Sequence, residues 1–128
     1  MNQPFEYLDT DDLVDVAAGL LGDPPPIRDL GLLGSAAARP QASAFGEDAY
    51  PDIWTKAAAL LQSIVKSHTL VDGNKRLGWL TTAVFLEINQ IAVTRPSNDQ
   101  IYDFVVGVAA GCNEVAEIAT RLQSLVER

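Results

Sequence analysis

Apolar residues return at helical spacing along most of the chain, and short stretches of proline, glycine and aspartate interrupt them. Residues 4–8 (PFEYL) suit an extended entry. Leu13, Val16, Ala17, Leu20 and Leu21 then share one face of a helix that Asp9 or Thr10 caps and that ends near Gly22. The prolines of Asp23 to Pro26 break it, because proline lacks the N–H and clashes with the preceding turn. Asp29 is placed to cap a short helix from Leu30 to Ala38, stopped by Pro40. Its glycines and alanines suit close packing better than intrinsic helicity.

Arg39 to Tyr50 has turn residues, an isolated Phe45 and the acidic pair Glu47 and Asp48, and reads most simply as a surface connection with Phe45 as a packing anchor. Pro51, at a first helical position, opens a helix through Ser67 whose stripe is Ile53, Ala57, Leu60, Leu61, Ile64 and Val65. Leu77 to Ile88 is apolar nearly all round and predicts a buried central helix. The β-branched Ile91 to Pro96 suits weak pairing with Phe5 to Tyr7. Ser97 and Gln100 form a capping box for a helix carrying Ile101, Phe104, Val105 and Val108. Asn113 is the expected cap of a last helix with Val115, Ile118, Ala119, Leu122 and Leu125 inward. The expected fold is all-α, a compact single domain over residues 1–128, with about six helices around a central buried one and at most a small β-hairpin.

Composition narrows the function classes. A chain of 128 residues builds a single core. Its 48% hydrophobic and 20% charged residues are those of a soluble globular protein. A net charge of −8 argues against a nucleic-acid surface, which needs clustered Lys and Arg. Cys112, the one cysteine, has no partner for an internal disulfide and lies in an apolar run, as a small buried hydrophobe does. With no basic and apolar leader, and no apolar run near the roughly 20 residues that span a bilayer, the expected location is cytoplasmic, without a membrane partner.

The chemistry gathers in His68 to Arg76 (HTLVDGNKR), which holds the only histidine. Gly73 and Asn74 stand where a tight loop becomes the first turn of a helix, and free backbone N–H groups and the macrodipole there favour an anion such as phosphate. Lys75 and Arg76 in that first turn oppose the macrodipole at a cost of about 0.3–1 kcal/mol each, so an external anion would complete the site. Each residue also has a plainer reading. Asp72 could neutralise both cations or turn the chain, Gly73 could be an ordinary turn glycine, and Asn74 a simple helix cap. A hairpin at Asp72-Gly73 would need alternating strands on both sides, and LGWLTTAVFLEI does not alternate.

HTLVDGNKR resembles the signature of the Fic/Doc superfamily, in which a histidine is followed by two residues, an acid, Gly or Ala, Asn, Lys and Arg. Lys75 stands where AMP-transferring Fic proteins usually have glycine, and the resemblance is therefore to the Doc (death-on-curing) toxin branch. Blocks from Arg28 to Pro40 and from Phe45 to Asp52 extend it over more than half of the chain.

The resemblance implies a toxin of a toxin–antitoxin pair that transfers the γ-phosphate of ATP, with Mg²⁺, to a hydroxyl of a protein target. The family's substrate is elongation factor Tu, and a Phd-like antitoxin is the implied partner. In that reading His68 is the general base, a role histidine suits because it takes and returns protons near neutral pH. Asp72 holds the metal, consistent with the one or two carboxylates Mg²⁺ prefers beside phosphate oxygens. Gly73, Asn74, Lys75 and Arg76 hold the nucleotide phosphates. No GxxxxGK[ST] pattern occurs, so the site is not a P-loop. AMP-transferring relatives commonly add a second arginine where this chain has Trp79, which again favours phosphate over AMP transfer.

The alternatives are AMP transfer on the same fold and a binding module without turnover. Leu70 replaces the usual phenylalanine loop anchor, a core change of about 1–2 kcal/mol. The resemblance makes the Arg39 to Tyr50 segment the candidate for the mobile flap that lies beside the active site in the family. SAFGED (Ser43 to Asp48) is only superficially like the inhibitory motif of some Fic proteins, because it ends in aspartate.

Overall fold

A computed structural model describes residues 4–111 and 113–127, so the expectation for Cys112 lies outside the described residues. Six helices follow one another: α1 (Thr10–Leu21), α2 (Leu30–Ala38), α3 (Ile53–Ser67), α4 (Asn74–Ile88), α5 (Asn98–Ala110) and α6 (Val115–Glu127). A 3-10 turn (Arg39–Gln41) prolongs α2, and a hairpin of β1 (Ser43–Ala44) and β2 (Glu47–Asp48) follows it.

The helix starts are fixed locally. Asp9, Asp52 and Ser97 each accept a backbone N–H from the third residue of their helix, and that residue's side chain closes the capping box. Asp29 accepts the Leu32 N–H at 3.0 Å. Asp52 caps α3, so Pro51 lies just ahead of the cap rather than at the first helical position. The last helix starts at Val115, and the Asn113 carbonyl instead accepts a hydrogen bond from Gln62 Nε2 at 3.0 Å.

The central buried helix is α3, which packs on α2, α4, α5 and α6. Its alanines and leucines from Ala57 to Leu61 are all buried. Although Leu77 to Ile88 is apolar on nearly every side, the main helix contacts of α4 among the described residues are with α1, α3 and α5, and Leu80 on its outer side is exposed. Its close approach to α3 requires Gly78, where an added Cβ would stand 2.7 Å from Val65 Cγ2.

Ile91 to Pro96 forms no strand with Phe5 to Tyr7. Asn89, at the end of α4, takes over that pairing: its Oδ1 accepts the Glu6 N–H and its Nδ2 donates to the Glu6 carbonyl, both at 2.9 Å. One amide side chain thus satisfies the backbone a partner strand would have bonded. The hairpin forms at 43–48 instead, around Phe45 (φ 55°) and Gly46 (φ 81°). Two left-handed central residues match the twist of the strands they join. Phe45 is no packing anchor. It stands fully exposed at the tip, because a two-stranded hairpin of this length has no layer to cover it.

Lys56 is fully buried, a role its place on the helix did not announce. Its Nζ donates to the Pro40 carbonyl at 3.1 Å and pairs with Asp48 of the hairpin at 3.4 Å. It also lies 5.0 Å and 5.5 Å from the ring centres of Phe5 and Tyr7. One cation therefore ties together the entry segment, the 3-10 turn and the hairpin.

Candidate active site

Between the end of α3 and the start of α4 the chain makes a loop held from below. Thr69 and Leu70 are buried, and Leu70 forms an antiparallel bridge with Ile27. The Thr69 carbonyl accepts the N–H groups of Arg28 and Asp29 at 2.8 Å and 3.2 Å, while the Val71 N–H donates to the Pro26 carbonyl at 3.1 Å. The segment after the triple proline is thus a strut under the loop. Leucine suffices as its anchor, since Leu70 is wholly enclosed.

His68 terminates α3 in the left-handed region (φ 53°, ψ 46°) and is exposed. That reversal lets the backbone leave the helix and dive into the core at Thr69 while the imidazole stays outside. Gly73 (φ 90°) makes the opposite turn into α4, and an added Cβ would meet both methyls of Leu21 at 3.1 Å. No side chain caps α4, and its first intrahelical bond runs from the Leu77 N–H to the Gly73 carbonyl. The N–H groups of Asn74, Lys75 and Arg76 lie ahead of that bond, and such orphan donors are what an anion needs.

All six sequence-predicted residues, His68 and Asp72 to Arg76, line one cavity of about 1020 Å³. Asn74 contributes differently from expectation. Its side-chain amide is engaged inside the loop, accepting the Leu70 N–H at 2.9 Å and donating to the Leu70 carbonyl at 3.1 Å. Its backbone N–H and the second N–H of Nδ2 remain for a ligand. Asp72 Oδ1 accepts the Gly73 N–H at 2.8 Å. The ion pairs among the described residues are Lys56 with Asp48 and Arg121 with Glu117, so Asp72 does not neutralise Lys75 or Arg76. Lys66, Lys75 and Arg76 face the cavity against the single carboxylate of Asp72, in a chain whose net charge is −8. Such local positive charge attracts an anionic ligand against the overall field.

Asp72 is the one carboxylate lining this cavity, and a magnesium ion there would take its other ligands from phosphate oxygens and water.

The far wall of the cavity was not anticipated. It is α5, through Asn98, Ile101, Tyr102, Val105 and Val106, and it is tied to α4 by Trp79 edge-on to Phe104 at 6.4 Å. A signal existed: Tyr102 and Val106 lie off the inward stripe of Ile101, Phe104, Val105 and Val108, giving α5 a second apolar face. No residue of the 39–50 segment lines the cavity. Its hairpin stands nearer the other end of α3, through the Asp48 to Lys56 pair.

The family model described as the Fic/DOC family matches residues 7–86, from α1 through most of α4. The protein named Toxin Doc of Mycolicibacterium smegmatis is 43% identical to this chain over 118 residues, covering 91% of each. With its histidine-to-arginine loop set between two packed helices, this chain belongs to the Fic/DOC family.

Proposed function

We propose that this protein is the toxin of a toxin–antitoxin pair and that it transfers the γ-phosphate of ATP to a hydroxyl of a protein target, with elongation factor Tu the expected target. The observation that carries this reading is one cavity in which a solvent-facing histidine shares space with uncapped helix amides and two cations free of carboxylate partners. The relative named Toxin Doc supports the toxin assignment. The reading places the protein in the cytoplasm, beside a Phd-like antitoxin. No helix of the described residues is long and apolar enough to cross a membrane.

In this mechanism His68 takes the proton of the target hydroxyl as its oxygen forms the new bond to phosphorus. The bond from the γ-phosphorus to the bridging oxygen breaks, and ADP leaves. Lys75, Arg76 and the first amides of α4 hold the charge that spreads over the phosphoryl oxygens. Asp72 would hold Mg²⁺, which when bound neutralises phosphate charge. The apolar wall of α5 offers Tyr102 for the base to lie against.

The test is incubation with elongation factor Tu and ATP, followed by intact mass of the target. A phosphate adduct supports the reading. An AMP adduct assigns the same site to nucleotidyl transfer, and an unmodified target with a folded enzyme refutes transfer to this substrate.

A further inference from the structure

A second groove, of about 700 Å³, runs between α2 and α3 from Ala42 to Ser67. Residues 30–46 and 53–71, which include both walls, contain no aspartate or glutamate, although the chain has 17. Arg39 stands in this acid-free strip as a fixed cation. Its Nε donates to the Tyr50 hydroxyl at 3.1 Å, and its Nη1 donates to Gln62 Oε1 at 2.8 Å, Ser63 Oγ at 2.9 Å and the Ala59 carbonyl at 3.3 Å. The Tyr50 ring lies 5.4 Å beneath the guanidinium carbon. All these partners are neutral, no carboxylate lies within 4.0 Å, and Nη2 makes no hydrogen bond among the described residues. Ser67, at the groove's end, has a buried hydroxyl without a partner.

A guanidinium held rigid through Nε and Nη1, with the Nη2 N–H groups unused, is preorganised to donate to a carboxylate oxygen, because the cost of ordering it is already met. The groove is lined by Leu32, Ala36, Ala38 and Ala42 as well, and Leu32 is 38% exposed. A small anion would leave Leu32 and Ala38 in water. A segment with apolar residues beside an acidic one would cover them and complete the charge.

We propose that the groove between α2 and α3 docks a segment of a partner protein, laying an aspartate or glutamate on Arg39 between apolar side chains. The site is separate from the phosphate cavity, and its occupant does not depend on the transfer reaction.

The experiment is an NMR titration of the ¹⁵N-labelled full chain with a short blocked peptide carrying glutamate between two leucines. Saturable shifts at Arg39 Nε–H and at the amides of Ala42, Ser63 and Ser67 are expected, with binding about tenfold weaker for the glutamine counterpart. Arg39→Gln should weaken binding similarly. Because that change also removes internal bonds, Ala38→Phe, at an exposed position of α2 that lines the groove and takes no part in those bonds, serves as the second variant. Three outcomes overturn the proposal: no saturable shift, equal binding of the glutamine peptide, or parental binding by Ala38→Phe. Sodium acetate reproducing the same shifts at equal concentration also overturns it, leaving a bare anion site.

Discussion

Asn74 bonds back to Leu70 twice, its amide oxygen accepting the Leu70 N–H and its amide nitrogen donating to the Leu70 carbonyl. A side chain in the first turn of α4 thereby closes the loop that begins at His68. Replacing it with alanine leaves the buried Leu70 backbone without these partners, at a cost of about 1–3 kcal/mol. We expect Asn74→Ala to unfold at lower denaturant and to exchange the Leu70 amide faster than the parent. Unchanged exchange there would show that the strut from Pro26 to Asp29 holds the loop alone.

The imidazole of His68 makes no hydrogen bond among the described residues, but its backbone is left-handed. Asparagine tolerates that conformation, so His68→Asn removes the base with little strain. Transfer should fall by roughly 10²–10⁴-fold. The melting temperature and ATP affinity should stay near parental values, as read by thermal melts and calorimetry. Transfer at the parental rate would exclude His68 as the base.

Lys75 and Arg76 oppose the α4 macrodipole and lack carboxylate partners. Changing either to alanine should leave stability unchanged or raise it by about 0.3–1 kcal/mol. ATP affinity should fall at the same time, most clearly at low salt, where the screening length is longest. Opposite signs in the melt and the binding titration are the expected signature. A loss in both would assign these cations to the fold.

At Gly78 an added methyl would stand 2.7 Å from Val65 Cγ2 and 3.2 Å from Leu61 Cδ1. Both neighbours are buried on α3, so the helices must separate. Gly78→Ala should destabilise by about 1–3 kcal/mol despite alanine's better helix propensity, a sign that urea unfolding reads directly.

Lys56→Met keeps the packing volume and removes the charge. Its partner Asp48 has a side chain 56% exposed and returns to water, so the cost comes from the buried Pro40 carbonyl left without its donor, about 1–3 kcal/mol. The hairpin loses its tether, and the Ala49 N–H, which donates to the Ala42 carbonyl at 2.9 Å, should exchange faster. Parental exchange would place the hold in the 3-10 turn.

Several features were legible because their causes are local. The caps at Asp9, Asp29 and Ser97 and the break at Asp23 to Pro26 act within a few residues. The same holds for the helix start at Gly73 and Asn74. Pairing of Ile91 to Pro96 with Phe5 to Tyr7 was misjudged because β-propensity does not reveal that Asn89 supplies the competing donor and acceptor. That the Asn74 amide also closes its own loop was not legible for a related reason. A free amide and one bonded inside its own loop look alike in a sequence.

By itself the chain specified six helices, most of their ends, and a histidine-to-arginine loop with the chemistry of an anion site. Tertiary structure alone decided that α3 is the enclosed helix, that Lys56 is buried, that α5 walls the cavity and that Arg39 stands in an acid-free groove. Capping and helical periodicity depend on neighbours within a turn, whereas burial and pocket walls depend on which distant faces meet, and that is set by packing of the whole core.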